Sequence, residues 1–113
     1  MIDLYTYKCS VLRIIDGDTV ELSIDLGLNV HIHHVCRLYG IDAAEVRSEP
    51  ETAAEATARL SELLANTPII CRTIKDRTGK YGRYLVTLID KHGTNINEAM
   101  VLGGYAARYP AVK

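Results

Sequence analysis

The sequence predicts a mainly β fold of the α+β class, with five strands, one helix between the third and fourth, and a second helix after the fifth. Three observations carry that reading. Stretches rich in Val, Ile, Thr and Tyr alternate with short turns of Gly, Asp and Asn, one of them with a strict period of two. A single apolar run recurs at helical spacing, and a signature of helix starts opens it. The 113 residues suit one domain, taken as 1–113, because domains commonly hold ~100 to 150 residues.

Tyr5 to Ile15 contains no Pro or Gly and reads as the first strand, stopping at Asp16-Gly17. Val20, Leu22 and Ile24 then alternate with Glu21, Ser23 and Asp25, so the second strand is half-buried and folds back on the first. Asp18 falls just past the bend of that hairpin. Leu26-Gly27-Leu28-Asn29 reads as the next turn, and a third strand is expected from about Val30 to Ile41. In a regular strand Arg37 and Asp42 would face opposite ways, and a bulge at Gly40 would re-aim the residues beyond it.

Ser48-Glu49-Pro50-Glu51 is a capping box with Pro in the first turn, where its missing N–H costs nothing. Ala53, Ala56, Leu60, Leu63 and Leu64 share one face, with Glu51, Glu55, Arg59 and Glu62 outside, which places a helix at about 49 to 65. Asn66-Thr67-Pro68 ends it. A fourth strand is expected from Pro68 to Lys75, a polar turn from Asp76 to Lys80, and a fifth strand from Arg83 to Asp90. Thr94 or Asn95 can cap a short helix running through Val101 to the Gly103-Gly104 pair. This order is the one that a five-stranded oligonucleotide-binding (OB-fold) barrel capped by two helices would produce.

Composition narrows the partners. Apolar residues make up 48% and charged residues 24%, the values of a globular chain, and no apolar run reaches the ~18 residues of a membrane-spanning helix. Neither Trp nor Phe occurs, so the core must be aliphatic, with seven Tyr as the aromatic supply. The N-terminus lacks the basic and apolar regions of a secretory leader, so a cytoplasmic location is expected. Cys9, Cys36 and Cys71 are widely spaced and odd in number, and are expected to be buried free thiols. A net charge of −1 argues against a broadly basic nucleic-acid surface while allowing a local basic pocket.

The run Cys36-Arg37-Leu38-Tyr39-Gly40-Ile41-Asp42-Ala43-Ala44-Glu45 holds three charges in an apolar setting, which a strand alone does not need. Upstream, Ile15-Asp16-Gly17-Asp18-Thr19-Val20 sets two carboxylates about a glycine; downstream lies Thr78-Gly79-Lys80-Tyr81-Gly82-Arg83. Together with Asn97-Glu98-Ala99-Met100-Val101 and Gly104, these stretches resemble, in order and approximate spacing, the staphylococcal nuclease (thermonuclease) family over about residues 7 to 107.

That resemblance implies an OB-fold barrel capped by helices. It also implies a calcium-dependent phosphodiesterase that cuts DNA and RNA with little sequence preference and leaves 3'-phosphates. Carried over, the metal site falls on Asp18, Asp42 and the backbone carbonyl of Ala43. The catalytic group falls on Arg37, Glu45 and Arg83, and the nucleotide contacts on Lys80 and Tyr81. The expected partners are DNA and RNA, single strands preferred, with no membrane and no small-molecule cofactor, for a monomer. Small unsecreted members of the family occur in phages. The chain departs from the family in reading Asp42-Ala43-Ala44-Glu45 where Asp-Thr-Pro-Glu is usual, in a shorter loop before the first helix, and in stopping before a third helix.

The residue types fit that chemistry. Carboxylates and a carbonyl are hard oxygen donors suited to Ca2+, which takes about six to eight such contacts in flexible geometry. Arginine forks match phosphate as lysine cannot, and a glutamate can orient or deprotonate water. Asp16 is read as shaping the turn rather than binding metal. Tyr109 is left open between base stacking and a structural role. His31 and His33 share a strand face, read as exposed rather than metal-binding. The alternative function is a non-catalytic nucleic-acid-binding or partner-binding nuclease-like module, against which stands the retention of Asp18, Arg37, Asp42, Glu45 and Arg83.

Overall fold

A computed structural model describes residues 4–43, 50–65, 67–78 and 83–109. Five strands close a barrel in the order β1 (Thr6–Asp16), β2 (Thr19–Gly27), β3 (Val30–Leu38), β6 (Tyr84–Ile89) and β5 (Ile69–Thr78), and back to β1. All neighbours are antiparallel except β3 and β6, which run parallel. Helix α1 (Pro50–Leu64) lies between β3 and β5, and helix α2 (Ile96–Leu102) follows β6. The expected barrel with two helices is therefore the fold of this chain.

The β1–β2 turn holds Gly17 for a reason of packing. A Cβ there would lie 2.7 Å from the Ala56 Cβ of α1 and 3.0 Å from that of Ala43, so only a glycine lets the helix approach the turn. Ala53, Ala56, Leu60 and Leu64 form the buried face of α1, the face that the helical spacing gives. Ala56, Leu60 and Leu64 meet Val20, Leu22, Leu38, Ile69, Val86 and Leu88 in one core. Each fully buried aliphatic side chain contributes roughly 1.5–3 kcal/mol. Cys9, Cys36 and Cys71 are buried and unbridged, as expected. Burial pushes the Cys36 thiol up to about 12, and the Cys9 thiol, hydrogen-bonded to Cys71 and buried, is raised as well.

The structure corrects three expectations. The third strand stops at Leu38 instead of running to Ile41, because Gly40, at φ +80°, makes a turn rather than a bulge. Beyond the turn runs a separate short strand, β4 (Ile41–Ala43), paired outside the barrel with β7 (Ala106–Arg108), a strand that the tail's pattern does not announce. The fourth strand continues to Thr78, since Thr78 still pairs with Tyr84, so the polar segment from Asp76 is strand through Thr78 rather than turn. The Ser48 and Glu49 of the capping box, and Gly79 and Gly82, lie outside the described residues.

Candidate active site

The turn at Gly40 solves the problem of facing. Arg37 is the last residue but one of β3 and Asp42 sits in β4, and the break between the two strands lets Arg37 Nη2 donate to Asp42 Oδ1 at 2.8 Å. The same nitrogen lies 3.4 Å from Asp18 Oδ2, so one guanidinium joins two carboxylates that are 24 positions apart in sequence, 42 − 18. Asp18 and Arg37 are both only 6% exposed, and a charge buried that far must be paired and hydrogen-bonded to persist.

Asp18 is held from every side. Its Oδ2 accepts the Ala43 N–H at 2.8 Å and its Oδ1 accepts the Thr19 hydroxyl at 2.8 Å. The turn that carries it is tied to the end of β3, with Leu38 N donating to Asp18 O at 2.7 Å and Thr19 facing Arg37 across the ladder. Thr19 Oγ1 in turn receives Arg83 Nη1 at 3.4 Å. Arg83 precedes β6 by one residue, and the parallel pairing of Cys36 with Tyr84 brings the start of β6, where Arg83 stands, beside the end of β3, which carries Arg37.

The tail supplies a further wall. Tyr109 N donates to Gly40 O at 2.8 Å, and the Tyr109 ring lies under the Arg37 guanidinium, 4.9 Å from Cζ to centroid, a cation–π contact. Below it, Arg108 forks onto both oxygens of Glu98, joining β7 to α2. That bond holds the Glu98 carboxyl below its ordinary value of 4.5. Asn97, 4% exposed, anchors the turn from behind: Nδ2 donates to Tyr39 O at 2.9 Å and Val86 O at 3.0 Å, while Oδ1 accepts Leu88 N at 3.1 Å.

Of the residues named from the sequence, Asp18, Arg37, Asp42, Ala43 and Arg83 thus come together. Glu45, Lys80 and Tyr81, with Ala44, lie outside the described residues. Asp16 pairs with Thr19 at the end of the hairpin, and His31 lies 3.9 Å from Asp25 on an exposed strand, away from this cluster. Among the described residues no group of three or more His, Cys, Asp or Glu is placed to hold a metal ion. Two carboxylates do converge, however, and the Asp42 side chain is about half exposed, which is the oxygen-rich and partly open setting a hard cation needs. Thr19, Asn97 and the β7 tail are the contributors that sequence reasoning assigned no role.

A family model described as staphylococcal nuclease homologue matches residues 35–113, from the end of β3 through the tail. The chain belongs to that family. The match takes in Arg37, Asp42, Ala43, Glu45, Lys80, Tyr81 and Arg83 of this nuclease-like chain, and Asp18, ahead of it, joins through its bonds to Ala43 and Arg37. No curated protein matches the sequence.

Proposed function

We propose that this protein is a calcium-dependent phosphodiesterase that hydrolyses DNA and RNA, single strands preferred, with little sequence specificity and with 3'-phosphate products. The single observation that carries the reading is Arg37 bridging Asp18 and Asp42 beside Arg83, which sets two phosphate-matched forks next to two hard-oxygen donors. Membership of a nuclease-like family supports it.

Asp18 and Asp42, with the Ala43 carbonyl, would hold the calcium ion. When bound, that ion supplies charge to offset the negative charge that grows on the phosphoryl oxygens. The remaining work falls to the chain's own groups. Arg37 and Arg83 orient the scissile phosphate and stabilise its oxygens, each through a planar fork of donors. Asp18, fixed by Ala43 N and Thr19 Oγ1, keeps Arg37 in register with the carboxylates. Glu45 receives or directs the proton of the attacking water, and Lys80 and Tyr81 hold the flanking nucleotide. Tyr109, stacked on Arg37, limits the arc through which the guanidinium can swing.

The test is end-group mapping on single-stranded DNA and RNA, incubated with the protein in Ca2+ or in excess EDTA. Calcium-dependent cleavage leaving 3'-phosphate ends is expected from the wild type. A Glu45→Gln variant should retain binding and lose at least ~10² in rate. Binding without cleavage by the wild-type chain would instead make it a nucleic-acid-binding module.

A further inference from the structure

The first half of β3 is an open strand edge. β3 pairs with β2 from Val30 to Arg37 but with β6 only over Cys36 to Leu38, so among the described residues no strand pairs with the other side of Val30 to Val35. Two bonds just past that stretch show which backbone groups are left there. Leu38 N donates to Asp18 O, on the β2 side, and Tyr39 N to Val86 O, on the β6 side. Alternation along the strand then turns the N–H and C=O groups of the odd residues His31 and His33 toward the open side. Val30 to His33 are exposed whichever face they point to, so the β2–β3 hairpin projects beyond the packed part of the barrel.

Strand edges left in solvent are commonly guarded by charged residues or Pro. This one is not. Leu26 to Cys36 hold no Asp, Glu, Lys, Arg or Pro, eleven residues of a chain that is 24% charged, so the edge can lie against an identical edge without like-charge repulsion. Leu28 at the hairpin tip is 98% exposed, and Leu26, Val30 and Ile32 are each about half exposed. Alongside, Ile32, His34 and Cys36 of β3 line a cavity of about 540 Å³ that Tyr5, Ile74 and Tyr84 wall on the other strands, room enough for an aliphatic side chain from outside.

We propose that two copies of this chain join edge to edge through β3, antiparallel, about a two-fold axis at Ile32. The inference rests on the strand edge and not on the nuclease reading. His31 exchanges both backbone hydrogen bonds with His33 of the second copy, the pair that the orientation of these groups allows, and Ile32 faces its own mate. A register shifted by one would set cavity-facing residues against outward ones, so parity fixes the pairing. The same register brings the second copy's Leu28 level with Cys36, which pairs with Tyr84, and both of these line the cavity. Each hairpin tip thus carries an apolar anchor to the other copy's cavity. A two-stranded ribbon, marginal alone, becomes a four-stranded one. The exposed side chains and the cavity rim offer on the order of 500 Å² a copy, under the ~800 Å² of a standard partner, which makes the dimer a weak and reversible one.

Sedimentation equilibrium of the whole chain from ~5 to ~500 µM, the span of weak interfaces, should show a monomer passing to a dimer. Leu28→Asp, at an exposed tip whose φ of +55° Asp tolerates, should weaken the dimer at least ~tenfold. His33→Pro removes an N–H that points away from β2, so the ladder within the chain survives while the dimer weakens at least ~tenfold. Leu12→Asp, at a leucine 48% exposed on β1, should leave it unchanged. Ile32→Cys should give a disulfide-linked dimer on mild oxidation, because a residue on the axis meets itself at ~4.5–5.5 Å between Cβ atoms. That variant decides the matter should His33→Pro fail to fold. A wild type monomeric up to ~500 µM would overturn the proposal and leave the edge to an extended segment of another protein. A dimer that survives both Leu28→Asp and His33→Pro, or an Ile32→Cys chain that stays unlinked, would overturn it as well, and the nuclease reading would stand untouched in each case.

Discussion

Across 25 positions of sequence, the Asp18 carboxylate accepts the backbone N–H of Ala43 at 2.8 Å, and this bond locks the β1–β2 turn to the strand that carries Asp42. Asp18 therefore has a structural role besides any role toward a cation. Asp18→Ala would leave Ala43 N, the Thr19 hydroxyl and the buried Arg37 short of a partner, and should cost about 3–5 kcal/mol. Asp18→Asn keeps an acceptor oxygen and should cost less, about 1–3 kcal/mol. Denaturant unfolding of both variants measures this. A loss in the alanine variant no larger than at a surface site, within about 0.5 kcal/mol, would contradict it.

Arg37 stands where it neutralises the carboxylate pair, so it opposes any divalent cation that binds the same oxygens. Arg37→Gln should therefore enlarge the calcium-induced rise in melting temperature, measured against that variant's own calcium-free midpoint, while turnover falls. The sign decides the matter. A smaller calcium response in Arg37→Gln would mean that the guanidinium organises the carboxylates more than it repels the ion.

Asn97→Ala removes three bonds at once from a buried position and strands the Leu88 N–H. We expect a loss of about 2–4 kcal/mol, beyond one unsatisfied group at ~1–3 kcal/mol. Because Tyr39 O loses its donor, the Gly40 turn should loosen too. Faster amide exchange at Ile41 and Asp42 than at Val20 or Leu22 would show it, and uniform exchange would not.

The Arg108 bond depresses the Glu98 carboxyl, and at Asp90 the N–H groups of Thr94 and His92 outweigh desolvation and depress that carboxyl as well. A carboxyl that holds its proton more weakly when folded stabilises the fold fully above its unfolded value, here 4.5 for Glu98 and 3.8 for Asp90, and loses that share as pH falls through the folded value. Stability should accordingly decline below about pH 4.5, and Glu98→Gln should flatten part of the decline. Thermal midpoints across the acid range test this. An acid limb identical in Glu98→Gln and wild type would show that the β7 ion pair adds nothing.

Local pattern made much of this legible. The period of two in β2, the helical spacing of Ala53, Ala56 and Leu60, and the Asn95 cap, whose side chain accepts Glu98 N, all act over a few residues. The break at Gly40 was visible as a glycine but not as a turn, because only the pairing of β4 with β7 shows where the strand goes. Ala106 to Arg108 carry no strand signal of their own and pair because Asn97 and Arg108 hold the turn and the tail in place. At the site, charged residues in apolar runs marked Asp18, Arg37 and Asp42, whereas Thr19 and Asn97 are polar residues whose roles depend on partners distant in sequence.

The most direct test of the central claim is the rate of cleavage of single-stranded DNA as a function of Ca2+ concentration, for the wild type and Asp42→Asn. The account predicts a saturable rise in the wild type, abolished by excess EDTA, and at least ~10²-fold slower cleavage by the variant at the same calcium concentration. Undiminished cleavage in EDTA, or an Asp42→Asn variant as fast as the wild type, would contradict it.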